Sequence, residues 1–292
     1  MRMIVTGAQG QVGWELNRRA MALGHAVLAW SQVELDITDT VAVDRALDAS
    51  SADVVINAAA YTAVDKAEQE PDLAFAVNRD GPAHLATACA RLNIPLLHIS
   101  TDYVYDGRKS SPYVEDDATA PLGVYGASKL AGDEAVRRGL PRHLILRVSW
   151  VFGVHGHNFV KTILRLARER EELRIVADQH GSPTFAGDIA DTLLELAGRI
   201  PEIDAKGAWG TYHYCNEPVT TWYGFTRAIV EQAGEREPLR AQTVIPITTA
   251  DYPTPAARPA NSTLDCGKLA AQFGIFPRPW RDGLQALLSS DY

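Results

Sequence analysis

The sequence predicts an α/β fold: a doubly wound parallel sheet covered by helices on both faces, followed by a smaller mixed α/β domain. Three observations predict it. Short apolar runs alternate with longer amphipathic ones through the first half, a glycine-rich turn follows the first run, and the rhythm changes near residue 150.

Strands are expected at residues 3–6, 26–30, 54–57, 96–100 and 144–148, each short and apolar on both faces, as in a sheet covered on both sides. Apolar residues at three- and four-residue spacing predict helices over 11–23, 41–49, 71–92 and 127–138. Beyond them come a helix at 158–172, a strand at 173–176, Gly-Ser-Pro-Thr at 181–184, a helix at 188–199, a strand at 211–215 and a helix at 222–233. The stretch 246–259 carries Pro246, Pro253, Pro255 and Pro259, which excludes a regular helix or central strand and predicts a fixed surface loop of the type that carries binding residues. The expected division is 1–150 for a nucleotide-binding domain and 151–292 for a mainly substrate-binding domain, with interleaving segments allowed.

The 292 residues include 28 Lys plus Arg against 36 Asp plus Glu, a formal charge of −8. That balance argues against nucleic acid or an anionic membrane as partner, because phosphate recognition needs clustered cations. Cys89, Cys215 and Cys266 are odd in number and widely spaced in sequence, which fits a reducing compartment and no zinc site. The chain starts directly on the first strand, without a secretory signal pattern, and has no 18-residue apolar run, so a cytoplasmic protein is expected.

Gly7, Gly10 and Gly13 follow the first strand at G-x-x-G-x-x-G spacing and open the first helix. Gly7 permits a tight turn, Gly10 lets the backbone approach a pyrophosphate, and Gly13 allows close packing of helix on sheet. The steric alternative is a plain glycine turn, but the position after an N-terminal strand favours a dinucleotide. At the end of the second strand Glu34 is available for a ribose, and no Lys or Arg lies between Ala20 and Asp44, so a 2′-phosphate has no evident partner except Arg18 or Arg19 reaching round. Asp36 and Ile37 are candidates for the adenosine end; Asp36 can equally cap the helix that follows.

Tyr125 and Lys129 stand four residues apart, on one helix face. A phenol titrates near pH 10, and a neighbouring ammonium moves it toward neutrality, where it exchanges a proton with a substrate oxygen. Y-x-x-x-K alone recurs by chance. Here it is joined by Ser100-Thr101-Asp102-Tyr103 at the carboxyl end of the fourth strand, where such folds bind ligands, and Thr101 offers a hydroxyl to the same oxygen.

With these motifs, the segment Asn57-Ala58-Ala59-Ala60-Tyr61-Thr62-Ala63-Val64-Asp65 resembles the extended short-chain dehydrogenase/reductases, which have a Rossmann fold. The finer pieces are similar to one family within them, the dTDP-4-dehydrorhamnose reductases. These are Val64-Asp65-Lys66-Ala67-Glu68, Ser149-Trp150-Val151-Phe152, Asn158-Phe159-Val160-Lys161-Thr162, Asp178-Gln179-x-Gly181-x-Pro183-Thr184 and Tyr252-Pro253-Thr254-Pro255-Ala256 with Arg258-Pro259-x-Asn261-Ser262. They run in family order along nearly the whole chain.

The resemblance implies reduction of the 4-keto group of dTDP-4-dehydro-β-L-rhamnose by NADPH or NADH, the last step of dTDP-L-rhamnose synthesis. It implies that Tyr125 protonates the C4 oxygen while hydride arrives from the nicotinamide, that Lys129 holds the nicotinamide ribose and tunes the phenol, and that Thr101 polarises the ketone. Gly10, Gln11 and Val12 would meet the pyrophosphate; Asp36 and Ile37 the adenosine; Ala60, Tyr61 and Thr62 the cofactor beyond them. Thr101, Asp102 and Trp150 would meet the nucleotide sugar, although Ala60 and Trp150 can also be packing residues and Asp102 a turn residue. The substrate diphosphate needs local cations, for which Lys161, Arg165 and Arg258 are candidates.

No metal site is assigned: His155 and His157 lack a third ligand, and Glu15 is compatible with the divalent ion that some members hold at a subunit contact, but without partner ligands. A homodimer is compatible with the family. Two other readings are a regulatory binding subunit like the β subunit of methionine adenosyltransferase, and an epimerase or dehydratase of another nucleotide sugar. The first does not need Tyr125, Lys129, Thr101 and Trp150 together; dehydratases need an acidic pair after the threonine, where this chain has Asp102-Tyr103.

Overall fold

The computed structural model describes residues 1–290. The chain runs β1 (Arg2–Thr6), α1 (Gln11–Ala22), β2 (Ala26–Trp30), α2 (Thr40–Ser50), β3 (Val54–Asn57), α3 (Val64–Ala67), α4 (Pro71–Phe75), α5 (Gly81–Leu92), β4 (Leu96–Thr101), α6 (Val124–Gly139) and β5 (His143–Val148). It continues with β6 (Val151–Phe152), α7 (Phe159–Glu169), β7 (Glu172–Val176), β8 (His180–Gly181), β9 (Thr184–Phe185), α8 (Ala186–Gly198), α9 (Ile200–Lys206), β10 (Gly210–His213), β11 (Thr220–Thr221), α10 (Trp222–Gly234), β12 (Thr243–Ile247), α11 (Gly267–Phe273) and α12 (Trp280–Leu288).

Six strands form one parallel sheet in the order β10-β5-β4-β3-β1-β2. The winding reverses between β1 and β3, which opens a crevice at the carboxyl ends of the strands. Two apolar layers flank the sheet. Leu16 and Ala20 of α1 pack with Ile189 and Leu193 of α8 on one face, and Leu47 of α2 with Leu85 of α5 and Val136 of α6 on the other. A third cluster, around Phe152, Ile163, Phe225 and Trp280, is a separate core built by the second half of the chain. The chain crosses between layers: β10 and α8, from the second half of the sequence, complete the sheet and its cover.

Three elements depart from the sequence expectation. The helix expected through residue 172 ends at Glu169, and Glu172 opens β7, because pairing with β12 captures a charged run whose apolar periodicity has already stopped. Pro246 lies inside β12, in a two-stranded sheet where every strand is an edge and a missing N–H costs no ladder bond. The helix at 71–92 is interrupted by a π segment, Ala76–Asp80, just before Pro82. Such widened turns recur at functional sites, and this one carries the buried Asn78.

Cys215 and Cys266, 51 residues apart in sequence, bring their sulfurs to 3.7 Å, and all three cysteines are buried free thiols. Among the described residues no helix is long and apolar enough to cross a membrane.

Candidate active site

The glycine turn is built for close approach. Gly7 has φ +69°, in the left-handed region that favours glycine, and a Cβ there would meet the Ala59 backbone. A Cβ on Gly13 would run into the Gly7 carbonyl. Gly10 donates to that same carbonyl at 2.9 Å and begins α1 without any side-chain cap, leaving the helix N-terminus open for an anion. The loop after β6 straps over this turn: the ring of His155 bonds the Gln9 carbonyl at 3.0 Å and stacks on Trp14, and Asn158 donates to Gln11 Oε1 at 3.1 Å while capping α7.

Two clefts diverge from the turn. One, of about 440 Å³, is lined by Gly7, Gly10, Asp36, Ile37, Ala60 and Tyr61. The other, of about 670 Å³, is lined by Gln11, Val12, Thr62, Thr101, Asp102, Tyr125, Lys129 and Trp150, and shares Gly10 and Ala60 with the first. Asp36 accepts from both the backbone N–H and the hydroxyl of Thr38, whereas Asp39 caps α2. Glu34 accepts from the Ser31 N–H at 2.6 Å, and the Ser31 hydroxyl together with that N–H holds its carboxyl below the usual range. Arg18 and Arg19 do not reach round; both guanidiniums donate to the buried Glu15 at 2.8 Å, and Arg19 also pairs with Asp191.

α6 brings Tyr125 and Lys129 to the second cleft. Lys129 is buried and donates to the Ile99 carbonyl at 2.7 Å; burial lowers its pKa to about 8. Burial raises Tyr125 to about 12, opposed by the Thr101 hydroxyl and reinforced by Asp102 and Asp133. The phenol is therefore moved away from neutrality rather than toward it, because desolvation and the nearby acids outweigh the Thr101 hydrogen bond. Asp102 is buried, accepts from Thr101 at 3.1 Å with one oxygen and leaves the other without a partner; burial raises its carboxyl to about 7.

Asn78, which the sequence reading did not single out, fixes this geometry. Its side chain accepts from the Tyr61 N–H at 2.8 Å and donates to the Tyr61 carbonyl and the Ser128 hydroxyl, both at 3.0 Å, tying the cofactor-side loop to α6. No spacing rule marks it, because its role depends on the π segment.

Trp150 adopts φ +44° and stacks on Trp222, ring centres 3.5 Å apart and planes 7° from parallel. Trp222 and Tyr103 line both the Tyr125–Lys129 cleft and a further cavity of about 470 Å³ that also contains Phe159, Tyr252, Arg170, Arg174 and Arg258. Of the three cations expected for the diphosphate, Arg258 lines this cavity. Lys161 donates to the Val154 carbonyl at 2.6 Å, and the exposed Arg165 pairs with Glu169 at 3.0 Å. Arg170 and Arg174 were missed, since nothing in the sequence separates them from the charged run around them. His157 lines the Tyr125–Lys129 cleft, and among the described residues no group of three metal-binding side chains forms.

The chain matches, across residues 1–292, the family described as RmlD substrate binding domain. It is 46% identical over 286 residues to a dTDP-4-dehydrorhamnose reductase of Aggregatibacter actinomycetemcomitans, covering 97% of each chain. Among solved structures it is similar to a dTDP-4-dehydrorhamnose reductase of Clostridium acetobutylicum, with TM-score 0.90, 35% identity and coverage of 99% of this chain and 98% of that one. The Bacillus anthracis dTDP-4-dehydrorhamnose reductase in complex with NADP gives TM-score 0.90 and 35% identity, with 98% of both chains covered.

Proposed function

The chain belongs to the RmlD substrate binding domain family, and on that footing we propose that it reduces the 4-keto group of dTDP-4-dehydro-β-L-rhamnose to dTDP-β-L-rhamnose with NADPH or NADH. One observation carries this reading: the open turn at Gly10, Gln11 and Val12, the pair Tyr125 and Lys129, Thr101 and the aromatic Trp150 all line a single cleft.

The residues present fit a nicotinamide dinucleotide. Gly7 and Gly13 leave a cradle that a Cβ would fill, α1 ends uncapped at Gly10, and the adjoining cleft presents Asp36 and Ile37 to an adenosine. When bound, the nicotinamide supplies the hydride. The adenosine cleft has one carboxylate, Asp36, and no Lys or Arg among its lining residues, which suits a ribose hydroxyl better than a 2′-phosphate and supports turnover with NADH as well as NADPH.

Tyr125 is protonated at neutral pH and is the proton donor to the C4 oxygen. Thr101, at the end of β4 in the same cleft, turns to that oxygen the hydroxyl that otherwise donates to Asp102, and so favours charge developing on it. Lys129, an ammonium at neutral pH, stabilises the phenolate that Tyr125 becomes. Trp150 and Trp222 wall the sugar, and the cavity beyond them, with aromatic sides and Arg170, Arg174 and Arg258, suits the nucleoside diphosphate. The free buried thiols suit a reducing cytoplasm.

The test is loss of reduced-nicotinamide absorbance with dTDP-4-dehydro-L-rhamnose, using NADH and NADPH separately, for the parent and Tyr125→Phe. Turnover that collapses in the variant is expected. Dinucleotide binding without turnover would overturn the reductase in favour of a regulatory binding subunit or another nucleotide sugar.

A further inference from the structure

Two buried polar atoms face each other beneath the catalytic pair without partners. His98 Nε2 on β4 and Asp133 Oδ1 on α6 lie 3.9 Å apart, both residues fully buried. Asp133 is one turn beyond Lys129 on α6, so the two share a face. That face docks on consecutive residues of β4: Lys129 on the Ile99 carbonyl, Asp133 against the His98 ring, whose other nitrogen bonds Asn57 at 3.0 Å.

The charge balance of this layer is uneven. Arg147 of β5, registered opposite Ser100, is buried and donates to Asp133 at 3.2 Å and to the Tyr105 hydroxyl at 2.7 Å. The charged and titratable groups facing Asp133 are Lys129 and Arg137 on its own helix, with Tyr125 at the head of that helix, His98 on β4, and Arg147 and His143 on β5. Burial keeps His98 and His143 neutral at pH 7. The buried Asp133 carboxylate thus meets the buried Arg147 directly and stands one helical turn from the buried Lys129. A guanidinium does not give up its proton in a protein, so if the carboxylate is removed the strain falls on the lysine.

We propose that Asp133 is a positioning residue for the reduction: it is the counter-charge that holds Lys129 as an ammonium beside Tyr125 despite its burial. This rests on the proposed role of Lys129. Asp133 touches neither substrate nor cofactor and acts through the lysine; without it, Lys129 becomes neutral at lower pH and the phenolate left after proton transfer loses its stabilising cation.

The test is the pH dependence of kcat, with the NADPH dissociation constant as a second readout, for the parent, Asp133→Asn, Asp133→Ser, Asp133→Glu and Lys129→Met. In Asp133→Asn the alkaline limb is expected to move down by about one pH unit or more, with NADPH binding at neutral pH within about twofold of the parent. Asp133→Glu restores the limb. Recovery in Asp133→Glu is something general loosening of the core does not produce, and Asp133→Ser, which also removes the charge, carries the test if Asp133→Asn does not fold. An unmoved limb in either, with Lys129→Met inactive, overturns the role of Asp133 alone. A fully active Lys129→Met overturns the premise, and the proposal with it.

Discussion

Arg258 grips Asp65 with both guanidinium nitrogens, at 2.5 and 2.8 Å, and so joins the proline-rich loop to the start of α3 across 193 positions of sequence. The same carboxylate accepts from the Ala256 N–H at 3.1 Å. This pair places Arg258 at the edge of the second cavity and fixes the segment that carries Tyr252.

Breaking that pair should act on substrate binding. Arg258→Ala is expected to raise KM for the nucleotide sugar about tenfold, leaving NADPH binding unchanged. The guanidinium holds the Asp65 carboxyl below its usual range. The pair therefore persists through neutral pH and is lost only as pH falls through that lowered value; substrate KM between pH 6 and 8 should show no step from it.

Lys129 predicts an alkaline limit. Its ammonium is lost as pH rises through about 8, so kcat should fall above that pH. The folded lysine releases its proton more readily than the unfolded one, so its burial costs stability below about pH 8, and that cost is relieved between there and the ordinary lysine value of 10.5. Lys129→Met should therefore raise Tm at pH 7 by about 2–4 °C for each kcal/mol recovered while abolishing turnover, and the gain should shrink in melts above pH 8.

The cavity cations should separate from the surface ones. Arg174→Ala and Arg170→Ala are expected to raise nucleotide-sugar KM by several-fold to about tenfold, more at low salt. Arg165→Ala, which removes an exposed pair with Glu169, should leave KM and stability within about 0.5 kcal/mol of the parent. Equal effects at all three positions would remove the cavity from the nucleotide path.

Trp222→Ala removes the face on which Trp150 stacks. Loss of an aromatic pair is worth about 0.5–1.5 kcal/mol, so KM for the sugar nucleotide should rise roughly 2- to 12-fold, with NADPH affinity unchanged in fluorescence titration.

Gly13→Ala puts a methyl group into the Gly7 carbonyl. Dinucleotide binding by calorimetry should be lost or weakened at least tenfold, because α1 must back away from the turn.

The contrast among these sites shows where local signals stop. The parallel sheet was legible because each strand needs a short run apolar on both faces, and the glycine turn because only residues without Cβ fit between Gly7, Ala59 and Gly13. Tyr125 and Lys129 were legible because helix spacing alone sets them on one face. For Lys161 and Arg165 the same spacing was not enough: a helix face says nothing about whether a cation meets Val154, Glu169 or a cavity.

Local pattern thus determined the doubly wound sheet, the glycine turn and the placing of Tyr125 and Lys129 on one helix face, since each follows from backbone sterics or from periodicity within a few residues. Tertiary structure alone decided the rest. It set Asn78 in a π segment against Tyr61 and Ser128, Trp222 against Trp150, Arg258 on Asp65, and Asp133 between Lys129 and Arg147. Each of these depends on which distant segments pack together and on the burial that turns an ordinary charge into one needing a partner.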